Sequence, residues 1–298
     1  MPTMHIRPRR SALYMPGSNA RALHKAKSIA ADVLILDLED AVAPAAKALA
    51  REQVCAAVKG GGYGRRELVI RVNALTTAWG PADLAAALEA APDAIVLPKT
   101  SRANDVLAVT EALTRADAAG KTRLWAMIET PLAILNLQEI AATSAQPGAR
   151  LDCLVLGTND LVKETRADLG VDRRAALYWL SAAVAAARAY ELDVLDGVYN
   201  DFRDADGFDR ECRDCRALGF DGKTLIHPDQ VAVANRVFAP LEADLAFARQ
   251  IISAFEQPEN KGKGVISVEG RMVELLHAKM AQRTVAIAEA IAALGATP

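Results

Sequence analysis

Two acidic residues carry the sharpest chemical signal in the chain. Glu129 directly follows the apolar run Leu124–Ile128, and Asp160 follows the run Cys153–Leu156 after Gly157-Thr-Asn. Carboxylates converging in a partly apolar mouth repel each other unless a cation lies between them. A small set of oxygen ligands suits Mg²⁺, which keeps water or substrate oxygens in its remaining positions. The plainer alternative is a helix cap for Asp160 and a surface charge for Glu129. Arg71 is the next candidate. Its segment, Glu67-Leu-Val-Ile-Arg-Val-Asn73, is apolar around one guanidinium, which needs a partner or an anion. Glu39 or Asp40 would pair it structurally. A carboxylate ligand held bidentately is the functional alternative, and the two are compatible. Ser18 and Lys25, just after Gly17, suggest a weaker anion site at a helix start, although Pro-Gly-Ser-Asn is also a plain turn. His227, before Pro228, reads equally as a structural residue or as a pocket wall.

These residues stand where apolar runs of strand length stop. The runs are Ser11–Met15, Val33–Asp37, Leu68–Val72, Ala94–Leu97, Leu124–Ile128, Cys153–Leu156, Asp193–Leu195 and Lys223–Ile226. Their ends are polar: Tyr14 to Ser18, Glu39-Asp40, Arg71-Val-Asn73, Pro98-Lys99, Glu129-Thr130, Asn159-Asp160, Asp196-Gly197 and His227-Pro228. Segments of helical periodicity lie between them, among them Ala20–Ala30, Pro44–Val58, Pro131–Ala142, Arg173–Tyr190 and Ala205–Leu218. Strands that alternate with helices belong in a parallel sheet, because parallel neighbours need a crossover. Eight such units over residues 1–240 predict an α/β fold, a closed TIM (β/α)8 barrel, whose site forms at the C-terminal ends of the strands. No G-x-G-x-x-G follows the first run, which weakens a dinucleotide-binding reading. Residues 241–298 form a helical extension outside the barrel pattern: a helix over Leu241–Phe255, a linker over Glu256–Val265 and a second helix over Glu269–Ala293. It is expected to serve as an oligomer contact or a lid.

The chain has 298 residues, 52% hydrophobic and 24% charged, as a compact globular protein requires. A net charge of −2 argues against nucleic acid or an anionic membrane as the main partner. No apolar run approaches the roughly 18 residues of a membrane helix, and no secretory leader is expected. Arg7, Arg9 and Arg10 form a basic cluster, either a solvated arm or, through Arg10, part of an anion site. Cys212 and Cys215 make a lone C-x-x-C on a helix that reads as exposed. Without a second pair there is no zinc site, so reduced thiols and a cytoplasmic location are expected.

In order along the whole chain, Arg10-Ser-Ala-Leu-Tyr-Met-Pro-Gly-Ser18, Leu36-Asp-Leu-Glu-Asp-Ala-Val42, Arg71-Val-Asn73, Leu97-Pro-Lys99, Met127-Ile-Glu-Thr130, Gly157-Thr-Asn-Asp160, Asp196-Gly197 and Gly222-Lys-Thr-Leu-Ile-His-Pro228 resemble the citrate lyase beta-subunit-like family of the HpcH/HpaI aldolase superfamily. The resemblance implies a Mg²⁺-dependent enzyme acting on small dicarboxylyl-CoA thioesters, with Glu129 and Asp160 holding the metal. It implies that Arg71 binds the substrate near its acyl oxygen, assisted by Glu39 and Asp40. Tyr14 and Lys25 then line the CoA side, with Asn159, Ile226 and His227 as further substrate contacts. It also implies a homo-oligomer, trimer or hexamer, whose C-terminal tail lies near a neighbour's active site. Many relatives carry an aspartate in that tail where this chain has Glu274. With Thr158-Asn159-Asp160, the segments Val273-Glu274 and Leu276-His277 are similar to the malyl-CoA thioesterase branch. Glu274 is accordingly a candidate catalytic acid/base. A CoA-independent metal-dependent aldolase and a lyase subunit that needs a carrier-protein partner remain alternatives.

Overall fold

The computed structural model describes residues 6–116 and 120–295, and the chain divides into two compact units. Arg9–Phe238 forms the first. Its strands are β1 (Ser11–Pro16), β2 (Val33–Asp37), β3 (Glu67–Arg71), β4 (Ala94–Leu97), β5 (Arg123–Ile128), β6 (Leu151–Leu156), β7 (Asp193–Asp196) and β8 (Gly222–Leu225). Each pairs in parallel with the next, and β8 returns to β1 with Lys223 opposite Ser11, so the barrel closes as the sequence predicts. The strands read as continuous apolar runs because both faces are buried. In β2, Val33 and Ile35 point into the barrel, while Leu34 and Leu36 meet the surrounding helices. Ala12, Val69, Val96, Trp125, Val155 and Leu195 fill the interior, which is a packed core and not a pore.

Arg9 closes the N-terminal end of that core. Its guanidinium lies 4.8 Å over the Trp125 ring, donates to Glu67 and Asp193 at 2.8 Å, and pairs with Asp152. Arg10 pairs with Asp32 at 2.8 Å. Arg9 and Arg10 are therefore neither a solvated arm nor an anion site: they enter β1 at the end of the barrel opposite the polar strand ends, held by internal carboxylates.

Several helices differ from expectation for local reasons. The helix predicted over Ala20–Ala30 ends at Lys25 and continues as a 3-10 turn. The one predicted over Pro131–Ala142 breaks at Asn136, whose side-chain amide leaves the helix axis to donate to the Ser101 carbonyl at 2.9 Å. Thr158–Thr165 is a helix that the sequence pattern did not announce, because two turns hold too few apolar positions to show a period. Cys212 and Cys215 are buried on the inner side of Ala205–Leu218, correcting their reading as exposed, and both are free thiols.

Among the described residues, the second unit comprises 239–295 with 6–8. Helix Glu242–Glu256 is followed by an antiparallel hairpin, β9 (Val265–Val268) and β10 (Arg271–Glu274), and by helix Leu275–Gly295. The predicted second helix starts six residues late because Glu269-Gly270 makes a tight turn. Both residues have positive φ, 49° and 75°, as a two-residue type I′ hairpin loop requires. Ile251, Ile266, Val268, Val273 and Ala281 form this unit's own small core. Among the described residues no helix is long and apolar enough to cross a membrane.

Candidate active site

A cavity of about 300 Å³ opens at the C-terminal ends of the barrel strands. Arg71, Asp37, Asp40, Tyr14, Glu129, Asn159, Asp160 and Ile226 line it, with Met127, Leu156 and Val198 as apolar wall. Glu129 is the residue after β5 and is fully buried. It reaches the mouth because the neighbouring position beyond β6 is Gly157: a β-carbon there would lie 2.4 Å from Glu129 Cβ and 2.6 Å from its Oε2. Asp160 projects from the first turn of helix Thr158–Thr165, where the free N–H groups favour negative charge.

Between these carboxylates stands a cation that the sequence had marked only as a polar strand end. Lys99 Nζ is 2.7 Å from Asp160 Oδ1 and 3.7 Å from Glu129 Oε2, and its main-chain N–H donates to Glu129 Oε1 at 2.6 Å. Glu129 Oε2 has no hydrogen bond. Burial pushes the Glu129 carboxyl up to about 7, against the pull of Lys99. Burial also opposes the Lys99 charge, but the hydrogen bond to Asp160 and the Glu129 charge outweigh it and raise its pKa.

Arg71 has a partner that the sequence reading missed. Its Nε and Nη2 donate to the two oxygens of Asp37 at 2.7 Å each, while Nη1 lies 2.9 Å from Glu39 and 3.4 Å from Asp40. Asp37 and Arg71 are register partners at the ends of adjacent strands β2 and β3, a pairing that strand ends alone do not specify. The guanidinium also stacks 4.6 Å over Tyr14. Burial pushes the Glu39 carboxyl up to about 8, with Arg71 opposing. Burial likewise raises the Tyr14 phenol. Two further groups at the mouth escaped the sequence reading, Asn200 and Thr224. Asn200 exchanges amide hydrogen bonds of 2.8 and 3.1 Å with Asn159.

Not every predicted residue comes to this cavity. Lys25 is exposed at the end of its short helix and does not line it. His227 stacks on Phe202 with ring centroids 4.6 Å apart, leaving Ile226 as the wall. Glu39 reaches the site only through Arg71. Asp196 is wholly buried and satisfied by Arg173, Lys223 and Cys215. Glu274 belongs to the second unit, exposed at the end of β10.

The charges at the mouth do not balance. Five carboxyl groups (Asp37, Glu39, Asp40, Glu129 and Asp160) make ion-pair contact with two cationic side chains, Arg71 and Lys99, an excess of three negative charges if all ionise. Two carboxylates, one with an unbonded buried oxygen, fit a hard divalent cation that completes its shell with water or ligand oxygens. Among the described residues no third acidic, histidine or cysteine side chain joins them as a closed metal cage. This donor set matches Mg²⁺ better than a structural zinc.

Residues 10–228 match the HpcH/HpaI aldolase/citrate lyase family. The (3S)-malyl-CoA thioesterase of Cereibacter sphaeroides is 48% identical over 290 residues, 97% of this chain and 98% of that protein. The citrate lyase subunit beta of Escherichia coli is 37% identical over 273 residues, 90% of this chain and 89% of that one. Among solved structures, protein CitE from Mycobacterium tuberculosis in complex with magnesium, acetoacetate and coenzyme A superposes with a TM-score of 0.72 at 30% identity, covering 95% of this chain and 99% of the other. With the barrel, the acidic mouth and the match over most of its length in agreement, the chain belongs to the HpcH/HpaI aldolase/citrate lyase family.

Proposed function

We propose that the chain is a Mg²⁺-dependent enzyme of small dicarboxylyl-CoA thioesters, hydrolysing (3S)-malyl-CoA to malate and coenzyme A and sharing its pocket with C–C cleavage of malyl- or citramalyl-CoA. The observation that carries this is the acidic pair Glu129 and Asp160, under-compensated by Lys99 alone, lining one cavity with the Arg71 guanidinium. At about 300 Å³ the cavity is at the small end of ligand sites, room for a short acyl group while the nucleotide part of CoA stays outside. The high identity to a (3S)-malyl-CoA thioesterase over nearly the full length supports hydrolysis as the main reaction.

Glu129 and Asp160 would hold the ion, which as a Lewis acid draws charge from the substrate's carboxylate and adjacent oxygen. Arg71 is held by the Asp37 fork at the cavity wall, where its guanidinium charge, shared with Glu39 and Asp40 through Nη1, would stabilise an oxygen that gains negative charge. Asn159, braced by Asn200, offers a neutral amide to the same acyl group. Met127, Leu156 and Val198 form the apolar wall that would keep water from the bound acyl group. In hydrolysis a water oxygen adds to the thioester carbon, the C–S bond breaks and the thiolate takes a proton. In cleavage the 3-hydroxyl gives up its proton as the C2–C3 bond breaks, leaving a 2-oxo acid and the enolate of an acyl-CoA, which takes up a proton at C2.

In this reading the general acid/base is Glu274 of another copy in a homo-oligomer, a trimer or hexamer. Its exposed carboxylate, flanked by exposed Met272, Leu275 and Leu276, supports a role at a subunit contact. Free thiols suit a reducing, cytoplasmic location. Product analysis with purified chain, Mg²⁺ and malyl-CoA or citramalyl-CoA tests the proposal. Free acid plus coenzyme A is expected from malyl-CoA, with glyoxylate or pyruvate scoring the C–C branch. Turnover that persists in chelator, or turnover of free hydroxy-oxo acids in preference to thioesters, overturns it.

A further inference from the structure

Lys99 follows Pro98 and has a left-handed backbone, with φ 53°. That conformation is costly for any residue with a β-carbon and persists where surrounding contacts demand it. Here it sends two groups of one residue to the same acidic pair, the main-chain N–H to Glu129 Oε1 and Nζ to Asp160 and Glu129 Oε2. The contact to Glu129 Oε2, at 3.7 Å, is an ion pair without a hydrogen bond, so it constrains the ammonium weakly. The Lys99 side chain is one-third exposed, whereas Glu129 is fully buried. The lysine can therefore swing away about its own single bonds while the carboxylate stays.

A divalent ion bonded directly to both carboxylates would sit about 2.0–2.1 Å from their oxygens. An ammonium packed against those same oxygens would face it at short range, and two cations repel there. We propose that the Lys99 ammonium is the internal counter-ion of the metal site, exchanging with Mg²⁺ for Glu129 and Asp160. Magnesium then enters by displacing a tethered cation, and the acidic pair is never left bare at the barrel mouth. Lys99 is thus a positioning residue that sets how tightly the ion is held. The inference rests on the reading of Glu129 and Asp160 as the metal ligands.

Two measurements on the full chain test it. Titration calorimetry compares Mg²⁺ binding by the wild-type chain and by Lys99→Met, which keeps the apolar stem and removes the charge. The variant is expected to bind Mg²⁺ roughly tenfold or more tightly, because its competitor is gone, and in chelator to melt several degrees lower than the wild type. In the wild type, Mg²⁺ should speed acylation of Lys99 by acetic anhydride severalfold relative to the other lysines, read by mass spectrometry of its peptide. Labelling that is unchanged or slowed by Mg²⁺, or a variant that binds no more tightly, overturns the exchange and leaves the metal reading standing. No Mg²⁺ binding by either protein overturns both. Should Lys99→Met fail to fold, the wild-type labelling decides alone.

Discussion

Glu129 and Asp196 are both fully buried carboxylates at the C-terminal rim of the barrel, and the chain treats them in opposite ways. Asp196 receives both Arg173 nitrogens at 2.8 Å, the Cys215 thiol at 2.9 Å and the Lys223 ammonium. Burial alone would raise its pKa, but Lys223 and Arg173 hold it well below the usual carboxylate range. Glu129 receives one main-chain N–H and a distant ammonium, keeps an oxygen without a hydrogen bond and is pushed up to about 7. A rim position by itself therefore does not mark a reactive group. The fully compensated acid stitches strands to helices, and the under-compensated one is left with capacity for a ligand.

Alanine replacements should pull the two apart. Glu129→Ala or Asp160→Ala is expected to lower Mg²⁺-dependent turnover of malyl-CoA by about 10³-fold or more while the fold survives, read by steady-state kinetics alongside circular dichroism. Asp196→Ala leaves the buried cations Arg173 and Lys223 with Glu211 as their one shared carboxylate and should cost about 3 kcal/mol in urea unfolding. If Asp196→Ala proves as stable as the wild type, the contrast fails.

Proton linkage gives a milder test. The Glu39 and Glu129 carboxyls are raised from an ordinary 4.5 to about 8 and about 7. Between those limits the folded chain binds more protons than the unfolded one, so stability in chelator should fall as pH rises through that window. Excess Mg²⁺ should flatten the fall, because the bound ion compensates the newly ionised acid. Asp196, with a depressed pKa, contributes in the other direction and only in acid: its stabilisation is lost as pH falls below about 3.8. A thermal-melt series in chelator that shows no decline from pH 5 to 8 would count against the under-compensated state of Glu129.

The smallest expected change concerns a third acid, exposed and not buried. Glu274→Gln should slow thioester hydrolysis by about 10²-fold and leave C–C cleavage measurable. Mixing it with the Asp160→Ala chain should restore part of the activity if each copy supplies what the other lacks. Equal loss of both reactions would reassign Glu274.

Much of this was legible in sequence because burial on both faces of a parallel strand leaves an unbroken apolar run. Val33–Asp37 and Ala94–Leu97 came out with the boundaries that the structure has. Glu129 and Asp160 stood out as acids just past apolar runs and Arg71 as a charge within one, and all three line one cavity. What was lost depends on register and dihedral angle. Asp37 looked like the plain end of a strand, and only the in-register neighbour Arg71 gives it its role. Lys99 was one polar strand end among eight, and nothing in Leu-Pro-Lys announces a left-handed residue. The hairpin Val265–Glu274 did carry a signal, alternating residues around Glu-Gly, but a glutamate in a type I′ turn is a weaker cue than asparagine.

The Arg9 seal closes the floor of a barrel whose interior is already packed, so the pocket at its mouth is approached from one end. With Trp125, Glu67, Asp152 and Asp193 packed around that guanidinium, nothing passes through the floor. Whatever arrives at the acidic mouth must depart by the same route, so a long product tail still threaded in the doorway blocks the next arrival, and traffic through the site is sequential by construction.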